Sequence, residues 1–147
     1  MFSSSNESTT RIKTGIILII AMLILGYLDS YFLFWLVFGI MLMISISESK
    51  KLFGLKSDSI YIYTSLLWFA AYFYPMPIDL IFIVAIGYAS RLAYKKTLNQ
   101  KLFLPLLYPT ASFLFLLTLY SEFGVMTLLW LLVIVASTDI GAYFVGR

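Results

Sequence analysis

Cysteine and histidine are both absent from the 147 residues of this chain. Without cysteine there is no disulfide and no thiol nucleophile, and without histidine there is no imidazole base and no imidazole ligand for zinc. Charged residues are also scarce, at 12% of the sequence compared with about 25% in ordinary soluble domains. Any chemistry must therefore rest on carboxylates, lysine and arginine side chains, hydroxyl groups and hard metal ions.

Hydrophobic residues are abundant and make up 62% of the chain, against about 45–50% apolar residues in globular domains. A soluble domain of this size has too little interior to bury so much apolar surface. The aromatic fraction of 18% suits helices whose ends lie repeatedly at the lipid headgroups. Strand-like alternation is absent, so the composition predicts an all-α integral membrane protein.

Six apolar runs follow a polar segment, residues 1–10, which is predicted to be a flexible cytoplasmic tail. Several runs are shorter than the roughly 20 residues that cross a bilayer, but six in succession favour membrane spans over the core helices of a soluble protein. Residues 11–147 are thus predicted to form one polytopic transmembrane domain of about six helices. In the fifth run, Pro105 and Pro109 predict a kink or a helix boundary at Pro109. The runs are Thr14–Leu28, Tyr31–Ser45, Ile60–Tyr74, Ile78–Tyr94, Leu102–Tyr120 and Val125–Phe144.

The charges between the runs predict the orientation. Every lysine and arginine falls on one side of the predicted bundle, while Asp29, Asp79 and Glu122 fall on the other. The positive-inside rule then places both termini in the cytoplasm and the chain in the inner membrane. The net charge of +3 is explained by cytoplasmic loops, so no nucleic-acid partner is expected.

Asp139 is the first candidate site residue, because it lies inside the last apolar run. It is roughly 8 Å short of the cytoplasmic helix end at 1.5 Å per residue. An isolated carboxylate there costs about 2.5–3.5 kcal/mol, which predicts that it faces the bundle interior, a cation or a water-filled pocket. The alternative is a helix-end carboxylate that reaches the interface or pairs with a lysine. Tyr143 shares its helical face, and Gly141 and Gly146 allow close approach of a ligand or simply of another helix.

Two further candidates lie at predicted cytoplasmic span ends. Glu48 is interpreted as a structural, interfacial acid that pairs with Lys51. Arg91 and Lys95 share a helical face with Tyr88 and form a basic corner. The corner is predicted to bind lipid phosphates or, alternatively, a substrate phosphate.

Residues 131–147, which read LLVIVASTDIGAYFVGR, resemble a segment of the phosphatidate cytidylyltransferase (CDP-diacylglycerol synthase) family. In that family an Asp-x-x-Ala-Tyr-x-x-Gly-Arg motif closes a transmembrane helix. The matching residues here are Asp139, Ala142, Tyr143, Gly146 and Arg147.

Three weaker features follow the family's order along the chain. Arg11-Ile12-Lys13-Thr14-Gly15 is similar to the family's opening Arg-x-x-Thr-Gly. Glu48 followed by Leu52-Phe53-Gly54-Leu55 is similar to its Glu and Leu-x-Gly-Leu elements. Leu107-Tyr108-Pro109 resembles the Tyr-Pro element that opens the span before the aspartate segment.

The resemblance implies transfer of a cytidylyl group from CTP to phosphatidic acid, with Mg²⁺ as cofactor. It also implies Asp139 as a metal ligand or as a residue that orients one, and Tyr143 and Arg147 as substrate-binding residues. Arg91, from the basic corner, is a further candidate for substrate binding. The expected partners are CTP, phosphatidic acid and the lipid bilayer. A second copy of the chain, in a homodimer, is a further candidate partner.

This chain departs from the family pattern after Arg147, where the family continues with Ser-Pro-Lys-Lys-Thr and a His-Gly-Gly signature. We therefore expect an amino-terminal part of a longer enzyme that is inactive alone, and no catalytic residue is assigned within it. The alternatives are a non-enzymatic membrane protein, such as a transporter half or assembly subunit, and a related CTP-dependent polyprenol or phytol kinase.

Overall fold

A computed structural model describes residues 20–55, 58–94 and 103–146, and every regular element among them is an α-helix. This confirms the predicted all-α class, while the predicted tail of residues 1–10 lies outside the described residues. The helices are α1 (described over residues 20–28), α2 (Tyr31–Leu52), α3 (Ser59–Phe73), α4 (Asp79–Tyr94), α5 (Phe103–Phe123) and α6 (Val125–Val145).

The helix bounds agree closely with the apolar runs, and the differences concern mainly α2 and α5. Helix α2 continues past Ser45 to Leu52, because Ile46 is still buried and Lys50 and Lys51 suit the negative end of a helix dipole. Helix α5 runs through Pro109, so the alternative of a boundary at that residue was wrong. Neighbouring helices and hydroxyl groups stabilise such prolines in membrane helices.

The surface of the bundle suits lipid. By length and composition, α2, the Leu106–Phe123 part of α5 and the Val125–Ala142 part of α6 can each cross a membrane, and α3 is a shorter apolar helix. Large apolar side chains such as Leu66, Phe82 and Trp130 are more than 60% exposed. An apolar surface of this kind would be a liability in water, so the chain is an integral membrane protein. The exact count of six spans stays a prediction.

Helix α5 lies at the centre and packs against α2, α3, α4 and α6. The α2–α5 contact is the most extensive and buries aromatic and aliphatic side chains from both helices. The main residues of this core are Phe34, Phe38, Leu42, Ile46, Leu114 and Leu117.

Polar contacts connect the ends of neighbouring helices at each side of the bundle. At the predicted outer side, the Tyr120 hydroxyl donates to a carboxylate oxygen of Asp29 at 2.9 Å, and the Ile78 N–H donates to the Thr118 hydroxyl at 3.0 Å. At the predicted cytoplasmic side, Lys50 forms an ion pair with Asp58 across the turn between α2 and α3. These contacts hold the ends in place, while apolar packing holds the middle.

Candidate functional site

The candidate site lies on the second half of α6. The first half packs against α5 and approaches α1, where a Cβ added to Gly26 would lie 3.4 Å from Val125 Cγ2. Residues 133–142 are all exposed, and Asp139 is among them. The helix therefore presents its aspartate segment on an uncovered part of the described surface.

The polar groups beside Asp139 are already satisfied within the helix. The Ser137 hydroxyl donates to the Val133 carbonyl and the Thr138 hydroxyl to the Ile134 carbonyl, each at 2.7 Å. No described lysine or arginine pairs with Asp139. Among the described residues, Asp139 thus neither faces a bundle interior nor pairs with a lysine, and its carboxylate stays available as an acceptor. Its contact with a cation, or with the membrane interface, stays a prediction.

A divalent metal ion can draw only a partial set of ligands from this surface. Among the described residues there is no group of three or more acidic side chains placed to hold a metal. Magnesium is usually bound by one or two carboxylates together with water and substrate phosphates. Asp139 therefore fits the role of one ligand and does not form a complete site.

The structure describes the other residues of the motif only in part. Arg147 and the side chain of Tyr143 lie outside the described residues. A Cβ added at Gly141 would meet no atom within 4 Å, so this glycine leaves open surface two residues from Asp139. Gly146 instead ends α6, and its N–H donates to the Ala142 carbonyl at 2.9 Å.

Glu48 lies at the mouth of an apolar groove between α2 and α3 with a volume of about 680 Å³. The predicted ion pair with Lys51 was wrong, because both residues line the groove without pairing. Lys50 makes the ion pair of this region with Asp58, and its ammonium lies 5.2 Å from the centre of the Tyr61 ring. The turn between the helices brings Asp58 to Lys50, which helical spacing alone does not reveal.

Arg91 lies at the mouth of a second cleft, between α3 and α4, also of about 680 Å³. Tyr88 lines it too and stacks on Phe103, with ring centroids 5.6 Å apart. Asp139 does not line this cleft, so the structure does not join the two candidates into one described pocket. Sequence reasoning missed the cleft, although Gly87, four residues before Arg91 on the same helical face, was a usable signal.

Comparison with known proteins identifies the family. A model of the cytidylyltransferase family matches residues 9–147. Two phosphatidate cytidylyltransferases from strains of Helicobacter pylori are 40% and 37% identical to the chain over 142 residues. These alignments cover 96% of the chain and 53% of each relative, so the chain spans about half the length of the curated relatives it matches. No solved structure matches. The match covers all six helices and the aspartate segment, and the chain therefore belongs to the cytidylyltransferase family.

Proposed function

We propose that this chain is part of an enzyme that transfers a cytidylyl group from CTP to phosphatidate, giving CDP-diacylglycerol and pyrophosphate. The observation that carries the proposal is the similarity, at 40% identity over 96% of the chain, to a phosphatidate cytidylyltransferase. The membrane-spanning helices and the motif at Asp139 support it, because a lipid phosphate must meet a soluble nucleotide at a membrane surface.

The proposed reaction is a nucleotidyl transfer from CTP to a lipid phosphate. A phosphate oxygen of phosphatidate attacks the α-phosphorus of CTP, and a new phosphorus–oxygen bond forms. The bond from that phosphorus to the bridging oxygen breaks, and pyrophosphate leaves with the electron pair. Such a transfer depends on positioning and on positive charge near the phosphates. It requires neither a thiol nor an imidazole, both absent here.

We assign Asp139 as one carboxylate ligand of a catalytic Mg²⁺ ion. When bound, Mg²⁺ supplies positive charge that offsets the developing negative charge on the phosphates. The exposed carboxylate and the open surface at Gly141 leave room for a nucleotide on this side of α6. Tyr143 and Arg147 are proposed to contact the substrates, because they complete the same motif.

The proposed setting is the cytoplasmic face of the inner membrane, with both termini of this segment inside. CTP is a cytoplasmic metabolite, and the basic residues lie on the side to which the predicted orientation assigns Asp139. A homodimer belongs to the same proposal and is tested by cross-linking in native membranes.

The test uses CTP labelled at either the α- or the γ-phosphorus. Membranes are prepared from cells that express the full open reading frame encoding these residues, and they are supplied with phosphatidate and Mg²⁺. Label from the α-position should enter the lipid and label from the γ-position should not. A lipid kinase would give the reverse result, and a non-enzymatic protein would transfer neither label. Either outcome would refute the proposal.

A further inference from the structure

The cleft between α3 and α4 has the dimensions of one bilayer leaflet. Its α4 lining runs from Leu80 to Arg91, which is about 16 Å along a helix at 1.5 Å per residue. The hydrocarbon core of a bilayer is about 30 Å thick, so the cleft extends through about half of it. Both α3 and α4 pack against α5, and Leu106 of α5 forms part of the cleft wall.

The lining divides into an apolar part and a polar mouth. The deep part is formed by aliphatic side chains of both helices together with the small residues Ala70 and Gly87. Arg91 lies at the opposite end, where Ser59, Tyr63 and Tyr88 also contribute. This order of apolar wall and cationic end matches the acyl chain and phosphate of a lipid, since arginine binds phosphate through paired N–H groups.

The neighbouring groove between α2 and α3 provides an internal comparison. It has the same volume, but its mouth carries both Glu48 and Lys51, whose charges cancel. The mouth of the α3–α4 cleft carries Arg91 and no acidic residue, and Arg91 pairs with no described carboxylate. Of these two clefts, the α3–α4 cleft is therefore the one whose described lining has an excess positive charge for an anionic headgroup.

Gly87 keeps the middle of the cleft free. A Cβ added there would meet no atom within 4 Å, and Ile83 beside it on the wall is 58% exposed. In a bilayer such space is filled by lipid chains. A methyl group at this position would enter the cleft without displacing protein atoms, and a larger side chain would extend further into the same space.

We propose that the α3–α4 cleft binds one anionic glycerophospholipid of the cytoplasmic leaflet. One acyl chain lies along Gly87 and Ala70, and the phosphate contacts the Arg91 guanidinium. This site is separate from the Asp139 surface on α6 and does not depend on the proposed cytidylyl transfer.

The experiment uses phosphatidylglycerol with a diazirine in one acyl chain, and phosphatidylcholine with the same chain as the neutral comparison. The full protein is reconstituted in bilayers without CTP, irradiated and digested, and the labelled peptides of α3 and α4 are quantified. The variants are Gly87→Phe, which fills the cleft, and Arg91→Gln, which removes the charge. Their controls are Ile86→Phe, at an exposed position outside the cleft lining, and Lys51→Gln, at the mouth of the other groove.

Phosphatidylglycerol should label the cleft about fivefold more than phosphatidylcholine, the factor expected for one basic residue at a membrane surface. Arg91→Gln should reduce its labelling to the phosphatidylcholine level, and Gly87→Phe should abolish most labelling by both lipids. Labelling of the α2–α3 groove in the same samples shows that each variant remains folded. Equal labelling by the two lipids, or equal losses in Gly87→Phe and Ile86→Phe, would overturn the proposal. Because no CTP is present, the result is independent of the enzyme activity.

Discussion

Trp35 and Trp68 exchange hydrogen bonds between α2 and α3. The Trp35 indole N–H donates to the Trp68 carbonyl oxygen at 2.9 Å, and the Trp68 indole N–H donates to the Trp35 carbonyl oxygen at 3.1 Å. The two rings are close to parallel, at 13°, with centroids 6.5 Å apart. Both indole N–H groups are thus satisfied within an apolar setting, where an unpaired donor is costly. The pair fixes the rotation of each helix relative to the other.

Gly39 is predicted to be required for this pair. A Cβ at Gly39 would overlap the Trp68 indole nitrogen and lie 3.0 Å from its Cδ1. Gly39→Ala should lower the free energy of unfolding by about 1–3 kcal/mol, the usual cost of overpacking. Gly87→Ala is the control, because a Cβ there meets no atom within 4 Å. Thermal unfolding in detergent, followed by tryptophan fluorescence, measures both, and equal behaviour of the variants would contradict the prediction.

Thr118 is predicted to stabilise the start of α4. Its hydroxyl accepts the Ile78 N–H at 3.0 Å, and the side chain is buried. Thr118→Val keeps the shape but leaves that N–H without its acceptor, which should cost about 1–3 kcal/mol of stability. Thr118→Ser should retain most of it. Thr127→Val is the control, since the Thr127 hydroxyl donates to the Phe123 carbonyl four residues before it and its loss leaves no backbone N–H without an acceptor. A loss in Thr127→Val as large as in Thr118→Val would disprove this role.

Asp139→Asn is predicted to remove most activity from the full enzyme without preventing membrane insertion. The substitution keeps the size of the side chain but removes the negative charge that a Mg²⁺ ligand requires. Activity should fall at least about 100-fold, because even the outer-shell partners of a metal can each be worth 10–100-fold. Glu122→Gln, an exposed acid on the predicted outer side, should have little effect. Near-normal turnover with unchanged Mg²⁺ dependence would assign Asp139 a structural role.

The predicted orientation is testable because the chain has no native cysteine. A cysteine introduced at Lys51 should resist a membrane-impermeant maleimide added outside the cell membrane, whereas one at Glu122 should react. The reason is the exclusion of basic residues from the outer side. The reverse pattern of labelling would refute the orientation.

Residues 1–147 alone are predicted to make no CDP-diacylglycerol. The described residues offer Asp139 as a single exposed carboxylate in the motif and no acidic cluster, whereas nucleotidyl transfer needs several charged groups around the phosphates. The measurement is the incorporation of label from α-labelled CTP into lipid. Membranes from cells that express residues 1–147 are compared with membranes from cells that express the full reading frame. Appreciable labelled lipid from the segment would show that its own residues suffice.

The lipid environment of the chain, its helices and the family motif could all be predicted from the sequence. Apolar runs and the charges between them are local features, because each residue's cost of lying in lipid is largely its own. The predicted run and helix α6 therefore begin at the same residue, Val125. The run ends at Phe144 and the helix at Val145, one residue later. Pro109 was harder to interpret, since only the surrounding bundle shows that a helix continues through it.

The contacts between residues of different helices could be assigned only from the folded bundle. Trp35 and Trp68 lie 33 residues apart, and their contact depends on the space that Gly39 leaves between two helices. Likewise, Lys50 pairs with Asp58 instead of Lys51 pairing with Glu48, because the turn after α2 reverses the chain. The α3–α4 cleft exists because both helices pack on α5 and small residues leave the space between them open. Such contacts depend on the rotation and separation of whole helices. These are set by how side-chain shapes fit together across the bundle, and the pattern of hydrophobic residues along the chain does not specify them.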